Sequence, residues 1–534
     1  MQIYYKNTEL TLYKNGKKID FDINKDVDTE FLKYEFNQTI SKLSMKHNSL
    51  AYWLMRLSER NTLTHHLFLD ICKIMLLKKL GTQHLVVYTN NVAIYDFFQK
   101  TSTITLQDRY LFQKQKFFNS YKPYLYLITF LLKKFFFKLR YSHKKYAKDL
   151  SDTTIIQTWV SDTNFKNNTF KDSYYGDLAK YLRENGKTVI TWPVFYNVKN
   201  KTNAISYIRK NKSDFLVIED YLKWQDYFQS TKHFFQKRFL KLGSVKILEN
   251  DFTSLFHYYQ KQETIEMSSF FYSFTQRVKS SQNITFIQNH ENMIGEKALA
   301  LGVQKYLQTS KIIGYFHTTK PKNQLCLEYA TSQEYKISPK PNAIVFNSYK
   351  FKDYYKTKYP NLLTYNGIAL KQLHMQQKQT NEQNREKKIL ILFSGTKNDV
   401  ILMFHLLNTL DDNYSFIFRT HPMLRFDIKA YYTKENYTLE NDIPLNTLFN
   451  QVSKVIATYS AVALEAALSG LNVGLVYDKK RLLINPFDDT GIKNYMLLST
   501  KEDIKKFLTL RYTQQNVKQI FNIKSQDYNI FKEL

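Results

Sequence analysis

Short apolar runs alternate with longer amphipathic segments along most of the chain. Buried parallel strands need continuous apolar runs, and the helices that cover them need only one apolar face, so this alternation predicts an α/β fold with parallel sheets. The predicted strands are residues 84–89, 154–160, 187–194, 214–219, 283–288, 311–317, 342–347, 388–393, 414–419, 454–459 and 472–477.

The stretch from 371 to 386, which begins "KQLHMQQKQTNEQ", is polar and has no apolar face. It predicts a linker between an N-terminal α/β domain, residues 1–370, and a C-terminal Rossmann-like domain, residues 387–534. A chain of 534 residues with 43% hydrophobic content is also too long for a single ordinary core.

The formal net charge is +30, and basic residues cluster between 111 and 148, where ten Lys/Arg occur without Asp or Glu. The apolar run of "YLYLITFLLKKFFFKLR" inside this cluster is shorter than the roughly 20 residues that cross a bilayer. We expect a helix lying on an anionic membrane surface, contacted through Lys133, Lys134, Lys138 and Arg140. The alternative is a core helix whose lysines reach out to solvent.

The first residues, "MQIYYKNTEL", lack the basic and apolar regions of a secretory signal. The two cysteines, Cys72 and Cys326, are too few for a disulfide framework and do not have metal-ligand spacing. These features predict a cytoplasmic protein, peripheral at the inner face of the cytoplasmic membrane, without a bound metal.

Polar residues follow three predicted strands of the C-terminal domain, where a doubly wound sheet binds its ligands. After strand 388–393 come Ser394, Gly395 and Thr396. Glycine permits a close backbone approach, and hydroxyls at a helix start suit phosphate, although the same residues are common in turns and caps.

The next strand, 414–419, ends in Arg419 and is followed by His421 and Pro422. Arginine offers two parallel hydrogen bonds to phosphate, and histidine can donate to a phosphoryl oxygen or protonate a leaving group. Proline keeps the residue before it out of the helical conformation. A solvated loop is the alternative interpretation.

The third strand, 454–459, is followed by Ser460, which is expected to cap the helix "AVALEAALSG". Glu465 is the one charged residue of that segment. Because an unpaired buried carboxylate is unfavourable, we expect Glu465 to meet solvent in a cleft or a ligand hydroxyl such as a ribose. Together, the three strand ends predict a nucleotide pocket.

The motifs "RTHP" and, later, "TYS" followed by "ALEAALSG" resemble the His-Pro and Ser motifs of bacterial sialyltransferases and capsular Kdo transferases. The C-terminal unit resembles the donor-binding half of a GT-B glycosyltransferase. Segments such as "TWVSDTNF" (158–165) and "NHENMIGEKAL" (289–299) are similar to bacterial surface-carbohydrate proteins of lipopolysaccharide or capsule biosynthesis.

This resemblance implies a GT-B fold, with two Rossmann-like domains facing across a cleft and a basic aromatic insertion in the N-terminal half. It also implies metal-independent, inverting transfer from a CMP-activated acidic sugar, without a cofactor beyond this co-substrate. His421 and Ser460 would then bind the nucleotide phosphate, and Glu465 the ribose.

Inverting transfer needs a group that takes the proton of the acceptor hydroxyl. The acidic motif of sialyltransferases, two acids followed by glycine, is absent from the N-terminal half. Three residues at predicted strand ends are candidates, in the order Glu291, His317 and Asp162. Each also fits a structural role, as a charge at a helix start, a buried histidine or a turn residue.

The expected function is transfer of a nonulosonic acid or Kdo type sugar to a surface glycan or lipid-linked acceptor. One alternative is a CDP-polyol phosphotransferase of cell-surface polymer synthesis, which also uses two α/β domains and cleft histidines. Others are a non-catalytic scaffold and a nucleic-acid-binding protein. Dispersed lysines without a zinc-finger or RNP-like motif argue against nucleic acid as a partner. The oligomeric state is not determined by the sequence.

Overall fold

The computed structural model describes residues 10–81, 85–89, 91–98, 104–106, 109–166, 168–376, 386–411, 413–421, 424, 426–510, 520–524 and 528–534. Its described strands form a small mixed sheet near the N-terminus, two larger parallel sheets and one short hairpin. The predicted α/β class is confirmed.

The first sheet contains β1 (Thr11–Lys14), β2 (Lys17–Ile19), β3 (Leu85–Thr89) and β4 (Ile104–Leu106), in the order β2-β1-β3-β4. Strand β1 is antiparallel to both neighbours, whereas β3 and β4 are parallel. The helices of this region are α1 (Ile23–Asp26), α2 (Thr29–Lys46), α3 (Leu50–Trp53), α4 (Arg56–Glu59), α5 (Leu67–Leu80) and α6 (Val92–Phe98). They pack around their own cluster, which includes Phe36, Trp53 and Phe68.

A 33-residue helix, α7 (Arg109–Tyr141), follows and contains the basic aromatic segment. In the part of the chain that the structure describes, no helix combines the length and apolar character needed to cross a bilayer.

The second sheet is built from β5 (Thr153–Ser161), β6 (Thr188–Asn197), β9 (Thr285–Asn289), β10 (Lys311–Phe316), β11 (Ala343–Phe346) and β12 (Leu363–Asn366); β7 (Lys246–Ile247) and β8 (Asn250–Asp251) form the hairpin. Its order is β12-β11-β10-β9-β5-β6, and every pair is parallel. The accompanying helices are α8 (Leu178–Glu184), α9 (Lys201–Lys210), α10 (Trp224–Arg238), α11 (Thr253–Lys261), α12 (Ser268–Arg277), α13 (Ile294–Tyr306), α14 (Ser332–Ile337) and α15 (Tyr349–Lys358).

The strand predicted at 214–219 does not form. Only Phe215 makes a bridge, to Thr191 of β6. The chain then turns into a 3₁₀ helix, in which the buried Glu219 and Asp220 bind basic side chains of neighbouring helices. Ion pairs at the end of this apolar run therefore favour the 3₁₀ helix over the predicted strand.

The third sheet contains β13 (Glu386–Leu392), β14 (Phe416–Arg419), β15 (Tyr437–Leu439), β16 (Val452–Ala457), β17 (Asn472–Val476) and β18 (Tyr495–Leu498). Its order is β15-β14-β13-β16-β17-β18, again fully parallel. Helices α16 (Lys397–Leu407), α17 (Leu445–Gln451), α18 (Ala461–Leu468) and α19 (Lys501–Thr509) accompany it, and α20 (Asn529–Glu533) ends the chain. The two parallel sheets confirm the predicted pair of Rossmann-like domains.

One hydrophobic cluster joins the second and third sheets. It contains Phe316 and Phe346 from the second sheet together with Leu390, Val455 and Leu475 from the third. The two Rossmann-like domains therefore meet through a buried apolar interface.

The segment between these sheets begins as a 3₁₀ helix, Leu370–Gln376, and residues 377–385 lie outside the described part of the chain. The predicted linker at 371–386 and its domain boundaries therefore stay predictions.

The described residues after 519 lie against the second sheet, although the predicted C-terminal domain extends to 534. Asn522 donates its side-chain amide to the Gly367 carbonyl at 3.0 Å, and its backbone amide bonds to Asn347 at 2.8 Å. Phe531 is buried, with its ring 5.8 Å from that of Tyr315 in β10. Residues 520–524 and 528–534 thus pack against the second sheet and stabilise it.

We predict that Phe531→Ala lowers the free energy of unfolding by about 3 kcal/mol, because truncating a buried phenylalanine removes apolar contacts and leaves a cavity. Chemical denaturation measures the change. Lys532→Ala, next to it on the exposed side of α20, is the control and should have little effect. Equal effects of the two substitutions would contradict this role of the tail.

Candidate functional site

The strand order of the third sheet reverses between β13 and β16. In an open parallel sheet, this reversal opens a crevice at the carboxyl ends of the two strands. The loops that follow these strands are residues 394–396 and 458–460. Two of the three predicted strand ends therefore flank the crevice, and the third, after β14, is beside it.

The first loop is tied to the start of α16. Thr396 caps this helix by accepting from the Asp399 amide at 3.4 Å, and the Asp399 carboxylate accepts from Ser394 at 3.0 Å and from the Thr396 hydroxyl at 2.5 Å. A Cβ added at Gly395 would lie 3.2 Å from the ring of His421. A side chain at this position would therefore crowd the imidazole, which would have to shift by a few tenths of an ångström.

His421 lines the cleft between the two Rossmann-like domains. Burial, reinforced by the nearby Lys371 cation, lowers its pKa below the ordinary value, so the ring is neutral at pH 7. A neutral imidazole can still donate one N–H to a phosphate oxygen. Pro422 lies outside the described residues.

Arg419 is directed away from this cleft. Its guanidinium donates to the carbonyls of Glu440, at 3.4 Å, and of Ile443, which lie between β15 and α17. The predicted phosphate contact is not supported by this geometry, because the side chain at a strand end turned toward unsatisfied carbonyls of the neighbouring connection.

Ser460 caps α18 as expected, accepting from the Val462 amide at 3.2 Å. Glu465, which is 5% exposed, accepts from the side-chain amide of Gln372 at 3.0 Å. The carboxylate was expected to meet solvent or a ligand hydroxyl. It instead contacts Gln372, which lies in the segment that the sequence pattern predicted to be a linker.

The second sheet has its own reversal, between β5 and β9. Residues at the carboxyl ends of these strands line a cavity of about 580 Å³. Its walls include Trp159, Ser161 and Glu291 from the N-terminal side, together with Lys371 and His421. We call this space the cleft cavity, and it joins the switch-point edge of the N-terminal sheet to the C-terminal strand ends.

Glu291 and His317 meet in this region. The Glu291 carboxylate is 3.4 Å from Nε2 of His317, and its side chain, which lines the cavity, is 30% exposed. Burial, followed by repulsion from Glu296, raises the pKa of Glu291 to about 7. Burial also holds the pKa of His317 well below its ordinary value. The pair therefore consists of a carboxyl that titrates near neutrality and a neutral imidazole.

Glu296 fixes the loop that carries Glu291. Its carboxylate accepts from the backbone amides of Glu291, at 3.0 Å and 3.1 Å, and Asn292, at 2.8 Å. This arrangement positions the Glu291 side chain while adding the negative charge that raises its pKa.

Asp162, the third candidate base, is engaged elsewhere. Its carboxylate accepts from the backbone amides of Lys199, at 3.0 Å, and Asn200, at 3.2 Å. It therefore stabilises the turn before α9. The neighbouring Ser161, rather than Asp162, lines the cleft cavity.

Two cavity residues were missed by the sequence analysis. Lys371 extends into the cavity, with Nζ 5.0 Å from the centre of the Tyr174 ring, and its positive charge lowers the pKa of Glu291. Glu59 is 4% exposed, and burial together with Glu266 raises its pKa to about 7. Neither stands at a predicted strand end, so the pattern carried no signal for them.

Two of the four lysine and arginine residues predicted to contact lipid face the protein. Lys134 is paired with Glu219 at 2.8 Å, and Lys138 donates to the carbonyls of Glu219 at 3.0 Å and Leu222 at 2.6 Å. Lys133 and Arg140 remain exposed. The inward lysines anchor α7, because the buried Glu219 requires a cation.

No family model and no curated protein matches this chain. Similar solved structures include a UDP co-structure of S. aureus MnaA, with 10% identity and a TM-score of 0.40, covering 71% of this chain and 95% of that one. MurG of Acinetobacter baumannii has 9% identity and a TM-score of 0.39, covering 72% and 100%. The wall teichoic acid polymerase TagF has 11% identity and a TM-score of 0.31, covering 78% and 92%.

Each of these TM-scores is below 0.5, so the architecture is assigned from strand order and not from the likeness. Two parallel sheets, each with a switch point at a common cleft, define a two-domain protein of GT-B type.

We predict that Glu291→Gln raises the midpoint of thermal unfolding relative to the wild type more at pH 8 than at pH 5. The folded protein holds the Glu291 proton up to about pH 7, whereas the unfolded chain releases it near 4.5. Ionisation thus disfavours the folded state increasingly between these values, and the amide removes this effect.

The exposed Glu184→Gln on α8 is the control and should give the same difference from wild type at both pH values. A pH-independent effect of Glu291→Gln would show that this carboxyl titrates normally.

Proposed function

We propose that this protein is a glycosyltransferase that moves a sugar from a nucleotide-activated donor to the hydroxyl of a glycan or lipid-linked acceptor. The observation that carries the proposal is the cleft cavity. A carboxyl with a pKa of about 7, a lysine and a neutral histidine line one space between two switch points.

Glu291 is the proposed catalytic base. Its carboxylate takes the proton of the acceptor hydroxyl as the oxygen attacks the anomeric carbon from the face opposite the nucleotide. The bond from the anomeric carbon to the phosphate oxygen breaks, and its electron pair stays on that oxygen. His317, 3.4 Å away, is a positioning residue for this carboxylate.

Lys371 and His421 are the proposed partners of the departing nucleotide phosphate. The ammonium supplies positive charge and the neutral imidazole an N–H, while the amides at the start of α18, beside Ser460, favour an anion. With these groups, the transfer is proposed to be metal-independent. Among the residues that the structure describes, no cluster of His, Cys, Asp or Glu is arranged to hold a metal ion.

The proposed donor is a CMP-activated acidic sugar of the nonulosonic acid or Kdo type, supported by the resemblance of "RTHP" and the Ser460 motif to the families that use such donors. Its proposed location is the third-sheet crevice, with the ribose near Glu465. Gln372 would then have to release this carboxylate.

We predict that CMP raises the midpoint of thermal unfolding and that His421→Ala weakens CMP binding. Losing a hydrogen bond to a charged group removes about 1.5–3 kcal/mol, or roughly 10- to 150-fold in Kd. His405→Ala, an exposed histidine on α16 of the same domain, is the control.

A panel of CMP-, CDP- and UDP-activated donors, with the released nucleotide recorded, tests the transfer itself. Release from a CDP-linked polyol would favour the phosphotransferase alternative. If no nucleotide stabilised the protein, the proposed assignment of the third-sheet crevice as the donor site would be contradicted.

A membrane-surface location is proposed from the outer face of α7. Eleven described large hydrophobic side chains of this helix are more than 40% exposed. They are Tyr110, Phe117, Phe118, Tyr121, Leu125, Tyr126, Ile128, Leu132, Phe135, Phe136 and Leu139. Most recur every three or four residues, so they form one stripe along the helix.

Helix α10 extends this stripe with exposed Trp224, Phe228 and Phe235, and the Trp224 ring is 5.2 Å from that of Phe135. Exposed cations, including Lys122, Lys133 and Arg140, accompany the aromatic face. Rings that enter the headgroup region and cations that meet anionic lipid are the features of a helix lying in the interface.

We predict that Phe117→Ser with Phe136→Ser lowers binding to anionic vesicles at least tenfold, because each buried phenylalanine contributes about 1.5–3 kcal/mol. Vesicle sedimentation measures it. Phe31→Ser on α2, a similarly exposed phenylalanine outside the stripe, is the control. Unchanged vesicle binding would contradict the membrane proposal. It would also be contradicted if the double variant lost self-association of the protein but kept lipid binding.

A further inference from the structure

A second, smaller cavity lies between the N-terminal region and the C-terminal Rossmann-like domain. It measures about 210 Å³ and is lined by residues of α5, α7, α11, the start of α16 and the loop at 478–481. We call it the Lys73 cavity. At about 30 Å³ per water molecule, it corresponds to the space of roughly seven waters, which exceeds what a single small ion occupies.

Lys73 of α5 lines this cavity and is only 5% exposed. Within the described part of the chain, its ammonium has no hydrogen-bond or ion-pair partner. Burial lowers its pKa, while Asp70 and Asp478 act in the opposite direction without reaching ion-pair distance. A buried, unpaired ammonium is unfavourable, so a protein retains one where something else supplies the countercharge.

The carboxylates of this cavity already have donors. Asp70 accepts from Asn91 at 3.0 Å and from the Tyr259 hydroxyl at 2.6 Å. Asp399, besides its bonds to Ser394 and Thr396, is paired with Arg481 at 3.3 Å. Asp478, the third carboxylate, accepts from the backbone amide of Lys480 at 2.8 Å. Each of the three carboxylates therefore has a donor other than Lys73.

Gln262 is a second donor group of the same cavity. Its side-chain nitrogen is buried and makes no hydrogen bond of good geometry to the described residues, although it lies near enough to the Tyr258 hydroxyl to act on the pKa of that group. An unpaired cation and a weakly bonded amide N–H thus line one cavity. An oxyanion entering it would supply both groups with an acceptor and Lys73 with a countercharge.

We propose that the Lys73 cavity binds an oxyanion, a phosphate or carboxylate carried by the acceptor glycan, with Lys73 and Gln262 as its direct partners. The oxyanion chemistry follows from the unpaired Lys73 ammonium and the nearby amide alone. Its assignment to the acceptor rests on the proposed function.

Helix α7 connects this cavity to the proposed membrane face. Asn119 and Gln115 of α7 line the cavity wall, while Phe117 and Phe118 between them are exposed on the apolar stripe. A lipid-linked acceptor lying at the membrane surface would therefore have its charged head close to Lys73. Asp399 and Arg481 also line a neighbouring cavity at the ends of the C-terminal strands. The Lys73 cavity and the proposed donor crevice therefore lie side by side.

The test measures thermal unfolding with inorganic phosphate added in the presence of saturating CMP, so that a phosphate site of the donor pocket is already filled. Phosphate should raise the midpoint of the wild type, and Lys73→Met should abolish this rise. Without phosphate, Lys73→Met should unfold at a higher temperature than the wild type, because it removes an unpaired buried charge.

Lys79→Met is the matched control, since this lysine lies on the same helix and is exposed. It should keep the phosphate-dependent rise. Gln262→Leu keeps the Lys73 cation and should weaken phosphate binding at least threefold. It replaces Lys73→Met in the test if that variant does not fold. An equal phosphate effect in wild type and Lys73→Met, or none in the wild type, would overturn the proposal.

The acceptor assignment has a separate readout. With an active donor, Lys73→Met should raise the KM for a phosphorylated or carboxylated acceptor about tenfold and leave CMP binding unchanged. An unchanged acceptor KM would overturn that assignment. Failure to transfer sugar from any donor would defeat the proposed function, while the phosphate measurement would still decide whether the cavity is an oxyanion site.

Discussion

The arrangement of the whole molecule depends on the apolar interface between its two parallel sheets. Phe316 and Phe346 of one sheet share a cluster with Leu390, Val455 and Leu475 of the other. Because apolar burial is the dominant favourable term in such an association, this cluster keeps the sheets packed together. Their switch points then border a common cleft.

The interface also brings charges together that would be unfavourable in isolation. Lys371 lies on the connection between the sheets and acts on the titration of Glu291 on one side and His421 on the other. A protein can keep a carboxyl of raised pKa in such a place only if packing elsewhere compensates. The same balance holds in the N-terminal half, where buried Glu219 is paired with Lys134 and thereby anchors α7.

The two proposed sites use opposite electrostatic arrangements. In the cleft cavity, Glu291 is near a histidine, a lysine and a second acid, and burial together with that acid raises its pKa to about 7. In the Lys73 cavity, the acids are already bonded and the lysine lacks a partner. The first arrangement suits proton transfer, and the second suits capture of an anion.

The strand pattern was a reliable guide because parallel strands buried on both faces must be apolar throughout, whatever their neighbours are. The runs that became β5, β10, β13 and β16 were therefore visible in the sequence. Residues that directly follow such strands, including Glu291 and His421, could be predicted to lie near a crevice. The strand predicted at 214–219 was wrong, because the end of this apolar run is held by ion pairs and not by pairing with another strand.

The directions of long polar side chains could not be predicted in the same way. Arg419, Asp162 and Lys138 each stand next to a predicted site, yet they turn toward backbone groups left unsatisfied by neighbouring elements. Lys371, Glu59 and Lys73 reach their cavities from segments that carry no strand-end signal.

The sequence by itself determined the α/β class, the parallel strands and the strand ends that border the cleft, because these follow from local apolar periodicity. Only the tertiary structure decided which polar groups face the cleft and which are bonded elsewhere, because a side chain's partner is set by distant segments brought into contact on folding.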